Sequence, residues 1–169
     1  MGIVEVPINE LFDIDKAGGK AIYTKAYCKA HLGNVPVYGA SSAIPLGHVD
    51  KADDPEGLLT WSRNGLAGYI TLMREPFCIT ADRGVLIPRP EISNQLNVNY
   101  IKYVAEPLFR SNIKGRLGDN GKNEYTKLHP SMIRDIIIPM PVKEDGSYDY
   151  EEQCRLAGKY EMIDEKKLR

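Results

Sequence analysis

The feature that most limits what this chain can fold into is a change of hydrophobic period near residue 97. From Lys20 to Pro90 the apolar residues come in short runs: Ala21-Ile22-Tyr23, Val35-Pro36-Val37-Tyr38, Leu58 to Trp61, Tyr69 to Met73, Phe77 to Thr80 and Gly84 to Pro88. Breakers such as Gly39, Gly65, Gly68, Pro76 and Pro88 punctuate them, and aromatic and β-branched residues are enriched within them. This texture predicts strands of a mostly antiparallel sheet. Beyond it, Val98, Ile101, Val104, Ala105 and Leu108 fall at i, i+3, i+6, i+7 and i+10, on one helical face. A helix over Asn97 to Phe109 is therefore expected to pack on the sheet. At 169 residues the chain accommodates one domain of this α+β kind with a real core.

Arg110 to Lys127 is polar and holds Gly115, Gly118 and Gly121, with five basic residues against two acidic ones, a formal charge of +3. Pro130 suits the first turn of a short helix through Arg134. Ile136-Ile137-Ile138 then reads as a buried strand stopped by Pro139-Met140-Pro141. Asp145-Gly146 marks a turn, and Asp149 with Glu152 forms a capping-box-like start for a last helix. The apolar seam of that helix is thin, being Leu156, Tyr160 and Ile163 among Glu, Lys and Arg, and packing on its own domain alone would gain it little. The expected division is therefore residues 1–148 as the domain and 149–169 as an outgoing helix with an uncapped end. The natural chain, or a partner, is expected to continue where that helix stops.

Most enzyme classes find no support. Lys and Arg number 22 against 23 Asp and Glu, so a nucleic-acid partner must meet a local basic surface and not a bulk polycation. No apolar run is long enough to span a bilayer. The first residues, MGIVEVPINELFDI, lack the basic start and apolar core of a signal peptide, which makes a cytoplasmic location the expectation. Cys28, Cys78 and Cys154 are far apart with no CxxC, and His31, His48 and His129 show no i, i+4 pair, so reduced thiols are expected and a zinc site is not. There is no phosphate-binding loop, no GxGxxG fingerprint and no aromatic Pro-Pro tetrad of the kind that amino-methyltransferases use. Asp149 with Glu165-Lys166-Lys167 spells a magnesium nuclease core, but on one charged helix and not on converging strands. No catalytic residue, metal ligand or cofactor is assigned.

Binding remains. Leu59 to Ile70 reads as a strand, a tight Gly-bounded turn exposing Arg63 and Asn64, and a returning strand. Arg pairs with guanine and Asn with adenine through two hydrogen bonds each, so a hairpin tip carrying both suits a groove edge. On local physics alone, a surface ion pair at Arg63 and turn chemistry at Asn64-Gly65 is the plainer reading. Tyr38, Ser41 and Ser42 are candidates for base or phosphate contact, or close a turn. Lys114, Arg116, Lys122, Asn123 and Lys127 are candidates for phosphate contact, or line a solvated loop.

Taken in order, several fragments resemble the target recognition domain of restriction-modification specificity proteins, the S subunits of type I systems and the related recognition domains of type II systems. They are Gly33-Asn34-Val35-Pro36-Val37-Tyr38-Gly39-Ala40-Ser41, the Leu59 to Gly68 turn, Pro76-Phe77-Cys78-Ile79-Thr80, Tyr100-Ile101-Lys102-Tyr103-Val104 and Lys127-Leu128. Ile136 to Pro141, with Glu152-Gln153 opening a helix, completes the set. The resemblance implies sequence-specific recognition of double-stranded DNA in the major groove, on behalf of a separate methyltransferase subunit or fused domain. It also implies one half of an arrangement in which two recognition domains are separated by long helices. The helix from Asp149 would be the start of that spacer, with Leu156, Tyr160 and Ile163 facing a partner, a second recognition domain or a homodimer mate. Weak affinity is expected of the isolated domain. The rivals are a protein-interaction module using Tyr160 and Ile163, and a small metal-dependent nuclease.

Overall fold

The computed structural model describes residues 2–119 and 122–167. Its centre is β4 (Leu59–Ser62), flanked antiparallel by β6 (Ile70–Leu72) and β8 (Arg83–Leu86). Alternation sends Leu59 and Trp61 to one face and Thr60 and Ser62 to the other. The Trp61 indole lies across Gly84, where a Cβ would come within 2.3 Å of the ring, so β8 needs glycine at that position. Trp61 donates through Nε1 to the Leu128 carbonyl at 2.8 Å and meets Phe109 edge to face at 5.8 Å.

Phe109 comes from α3 (Val98–Ser111), which the Asn97 side chain caps by accepting the Tyr100 amide at 2.9 Å. The expected helix is present, starting one residue later and ending two residues later. Its fully buried residues are Tyr100, Ile101, Ala105 and Phe109, while Val98, Val104 and Leu108 are partly buried at the flanks of the core. The face is thus rotated towards the two aromatics, which fill more volume than the aliphatic residues that define the periodicity.

The first strand closes onto one near residue 140. β1 (Gly2–Pro7) pairs antiparallel with β11 (Ile137–Val142) along its whole length, a pairing not foreseen from the first residues. β11 also runs through Pro139 and Pro141, which were expected to stop it. In a two-stranded sheet both strands are edges, and proline is tolerated where its nitrogen faces away from the partner. The outward carbonyls are taken up: Tyr100 donates its hydroxyl to Pro139 at 2.6 Å and the Asp149 amide donates to Pro141 at 2.8 Å. Burial pushes the Tyr100 phenol up to about 12.

A second small sheet joins β2 (Val35–Tyr38) to β3 (Gly47–Val49) antiparallel and to β7 (Cys78–Ile79) parallel. Ala21-Ile22-Tyr23 is not a strand: it leads through Thr24, which caps α2 (Lys25–Ala30) by accepting the Tyr27 amide. The single curved sheet of the sequence reading is, among the described residues, divided into four short ones. Three thiols are free, with Cys28 and Cys78 buried.

The last helix, preceded by α4 (Pro130–Ile133), is α5 (Tyr150–Lys167). Leu168 and Arg169, where the sequence places its end, lie outside the described residues. Asp149 caps α5 by accepting the Glu152 amide at 3.0 Å, but Glu152 turns to Arg155, so the reciprocal half of the capping box is missing. Its first turns belong to the core. Gln153 is fully buried, donating to the Gln95 carbonyl at 2.7 Å and accepting from the Asn97 amide at 2.8 Å, with Ala157 buried and Leu156 partly so. From Lys159 to Lys167 every residue is exposed. Tyr160 tilts against Tyr103 of α3, and Ile163 is 49% exposed. Among the described residues no helix is long and apolar enough to cross a membrane.

Candidate nucleic-acid interface

β4 and β6 are not joined by a tight turn. The seven residues between them make an excursion in which β5 (Asn64–Gly65) pairs with a different sheet, next to β10 (Tyr125–Lys127) and β9 (Lys114–Arg116). The basic glycine-rich stretch, expected as a loop, is therefore a hairpin built onto the Arg63-Asn64 segment; Asn120 and Gly121 near its tip lie outside the described residues. Gly115 has φ +120° and lies so close to the Tyr125 carbonyl that a Cβ would be 2.3 Å from it.

Register fixes which side chains share a face. Lys127 stands opposite Asn64 on one side and Lys114 on the other, and Tyr125 stands opposite Arg116. Directly opposed residues project from the same side of a sheet, so Asn64, Lys127 and Lys114 form one row across three strands and Tyr125 with Arg116 the next. The lysines, Arg116 and Tyr125 are exposed, and the Arg116 guanidinium lies over the Tyr125 ring, 4.9 Å from its centre. No carboxylate stands in these two rows. Lys122 and Asn123 are exposed nearer the tip; Asn123 has φ +59°, and its carbonyl accepts from Arg116 at 3.4 Å.

The inner face carries Thr126, buried, whose hydroxyl accepts the Ala67 amide at 3.0 Å and lies within hydrogen-bond distance of the Gly65 carbonyl and the Glu124 carboxylate. Glu124 also receives both Nη atoms of Arg110. Arg110 is thus committed to the base of the hairpin, and its guanidinium covers the Tyr69 ring at 4.3 Å. Removing this neutral pair leaves four cations against Asp119, the same +3 that the sequence shows.

Arg63 and Asn64 are half-buried and already engaged. The Arg63 backbone bonds to Asp82 and Leu128, its Nη2 lies 3.2 Å from His129 Nδ1, and its Nε is buried without a partner among the described residues. Burial lowers the pKa of Arg63, and burial together with the Arg63 charge lowers that of His129, consistent with a neutral imidazole accepting from the guanidinium. Asn64 donates to the Asp82 carboxylate at 2.8 Å. The expectation of a freely exposed tip therefore fails, because β5 is tied down on both sides by strand pairing and by Asp82.

Ser41 and Ser42 lie across a cleft from this excursion, whereas Tyr38 lines a neighbouring depression with Arg74 and Glu75. Tyr38 is half-buried, and burial, followed by Glu75, raises its phenol pKa. Ser41 and Ser42 are exposed and line, with Leu66 and Tyr69, a cleft of about 360 Å³. The structure thus brings Ser41 and Ser42 on one side and the β9–β10 hairpin on the other to one segment, residues 62–69, but leaves Tyr38 apart from it. Sequence reasoning passed over Tyr69, Asp82, Tyr125, His129 and above all Arg83, whose only sequence signal is a lone cation opening an apolar run.

Comparison with known proteins bears on this arrangement. The family model of the type I restriction modification DNA specificity domain matches residues 2–156. The chain belongs to that family. The match runs through the turns of α5 that pack on the core. Two proteins of Mycoplasma pneumoniae, one named as a type I specificity subunit and the other as the specificity subunit of type I restriction enzyme MpnII, are similar. The first is 27% identical over 146 residues, covering 85% of this chain and 37% of the relative. The second is 31% identical over 129 residues, covering 75% and 36%. Among solved structures, the S subunit of a type I restriction-modification system from M. genitalium superposes with a TM-score of 0.69 at 15% identity over 98% of this chain and 40% of that one. The HsdS subunit from Thermoanaerobacter tengcongensis gives 0.64 at 16% identity, over 98% and 38%. The specificity-domain fold is therefore shared, and this chain spans less than half the length of the proteins it matches.

Proposed function

We propose that this specificity domain reads a double-stranded DNA sequence and directs a separate methyltransferase, and in a restricting system an endonuclease, to it. The observation that carries the reading is the pairing of Lys114 with Lys127. Like charges directly opposed across strands destabilise the free protein, and here they sit beside Arg116 in rows without a carboxylate. A polyanion relieves that repulsion and releases counterions as it binds. Lys114, Arg116, Lys122, Asn123 and Lys127 then form the arm that follows the DNA. Arg63, Asn64, Tyr38, Ser41 and Ser42 stand nearest the bases.

The chemistry belongs to the partner. The nuclease spelling is disfavoured because Asp149 and Glu165 lie 16 residues apart along one helix, about 24 Å at 1.5 Å per residue. In this reading residues 1–148 are the recognition unit and 149–169 open a spacer. The exposed second half of α5, with Tyr160 and Ile163, faces a methyltransferase subunit or fused domain, a second recognition domain or a homodimer mate, and Leu156 steadies it from the core. The setting is the cytoplasm, where chromosomal DNA and such a methyltransferase meet.

Selection from a pool of randomised duplexes, with the chain alone and again with the methyltransferase encoded beside it, tests this. A defined motif is expected, most strongly with the partner present. No enrichment in either condition overturns the reading in favour of a protein-interaction module.

A further inference from the structure

The face of the β6-β4-β8 sheet away from Trp61 carries an unusual row. Ser62 pairs with Arg83, and the Ser62 amide bonds to the Tyr69 carbonyl at 3.2 Å, so Tyr69, just ahead of β6, stands in line with Ser62 and Arg83. Thr71 lies opposite Thr60 on the same face, one row down. Above them runs the loop from Gly39 to Ala43, and the space between is the 360 Å³ cleft.

Arg83 is 2% exposed. Its Nε donates to the Gly39 carbonyl at 2.8 Å, Nη2 to the Ala40 carbonyl at 3.0 Å, and Nη1 to the Thr60 hydroxyl at 3.2 Å. All three partners are neutral, and no carboxylate is within ion-pair distance of it among the described residues. Burial brings its pKa down to about 10, which leaves it cationic at neutral pH. A guanidinium has five N–H donors, so each Nη keeps one hydrogen for which no acceptor stands among the described residues. Around it the Ser42 and Thr71 hydroxyls have no intramolecular partner among the described residues, and no acidic side chain lines the cleft.

A buried charge is normally paired, because desolvation otherwise costs several kcal/mol. Structural need alone does not account for a cation here: carbonyls of a loop can be held by neutral donors. We infer that the cleft is a seat for one phosphate group, with the Arg83 cation beneath it and the Ser42 and Thr71 hydroxyls at its rim. With the function proposed above, the source is a phosphodiester of the DNA backbone. This moves Ser42 from reading bases to fixing register, through contacts that carry no sequence information. Arg83 also holds the loop in place before the anion arrives, so little ordering remains to be done on binding.

Two arms test it, on the 169-residue chain. In the first, inorganic phosphate is titrated while the Arg83 Nε–H and the Ser42 and Thr71 amides are followed by NMR. Saturable shifts are expected in the wild type and not in the Ser42→Ala/Thr71→Val double variant, which leaves Arg83 and the core untouched. No saturable shift in the wild type overturns the seat, whatever DNA does. In the second, methylphosphonates replace single phosphates along the selected duplex. One position is expected to weaken wild-type binding on the order of tenfold, as for loss of hydrogen bonds to a charged group, and to have little further effect on the double variant. Phosphate binding without such a position assigns the seat to free phosphate and overturns the DNA source. A changed base preference in Ser42→Ala overturns its placement at the rim. Failure to select any duplex motif strikes the proposed function, and the phosphate titration still decides the cleft.

Discussion

Arg110 holds Glu124 with both ends of its guanidinium, Nη1 to Oε2 at 2.8 Å and Nη2 to Oε1 at 3.0 Å, and so ties α3 to the base of the β9–β10 hairpin. The Glu124 side chain is 3% exposed and that of Arg110 22%, which makes this the pair most shielded from solvent among the described salt bridges. Arg110 keeps the Glu124 carboxyl below the usual glutamate range.

Glu124→Gln is therefore expected to cost about 1.5 to 3 kcal/mol at pH 7, the range for hydrogen bonds to charged groups. The sign with pH follows from the lowered value. The stabilisation is complete above the unfolded glutamate pKa, near 4.5, and disappears as pH falls through the folded one. Urea unfolding at pH 7 and again below pH 4 should show the gap between wild type and variant closing on acidification. A constant gap would mean that the carboxylate charge is not what holds the hairpin.

Arg63 and His129 form a second pair with a pH signature. Accepting from the guanidinium requires a neutral ring, and the His129 pKa is lowered from its ordinary 6.5 by burial and by Arg63. A lowered folded pKa means stability that is present above the unfolded value and lost as pH falls through the folded one. The wild type should thus lose stability between pH 7 and pH 5 while His129→Gln changes less, as thermal melts would show. In binding, Arg63→Ala should cost about 1 to 3 kcal/mol and relax one position of the recognised site. Equal loss on every sequence would leave Arg63 only a positioning role through Leu128 and His129.

Much of this fold is legible in the sequence where local signals agree. The strands at Val35, Leu59, Ile70, Cys78 and Arg83 and the helix α3 follow from run length and period. The failures share a cause, which is that the deciding partner is distant in sequence. β1 becomes a strand because β11, 130 or more residues away, offers an edge, and the prolines of β11 are tolerated because their nitrogens face away from β1, on the side where Tyr100 and the Asp149 amide take the carbonyls. The site shows the same division. The cations of the arm could be read from composition, but their common face depends on the register of β5, β10 and β9. Arg83 could not be picked out at all, since nothing near it in sequence reveals that it is buried or that its partners are the carbonyls of residues 39 and 40.

The two halves of α5 have different fates. Met162 and Ile163 are 59% and 49% exposed, about one and a half turns beyond the buried Ala157. Ile163→Glu should leave the melting temperature of the chain and its DNA selectivity unchanged, because exposed positions rarely contribute more than about 0.5 kcal/mol. It should reduce co-purification with the methyltransferase. Retained assembly would move the partner surface elsewhere.

Lys114 and Lys127 give the most direct test of the DNA-facing arm. Each phosphate contact contributes a slope of roughly 0.9 to the dependence of log affinity on log salt for duplex DNA. Lys127→Ala should therefore make that slope shallower by about one contact and weaken binding uniformly across sequences. The double change at Lys114 and Lys127 should take away about two. Stability should move the other way, rising slightly in either single variant, because each removes one member of an opposed like-charge pair. A shallower slope together with lost sequence preference would place Lys127 at a base edge beside Asn64, its neighbour in the row. An unchanged slope in both variants would remove this face from the DNA footprint.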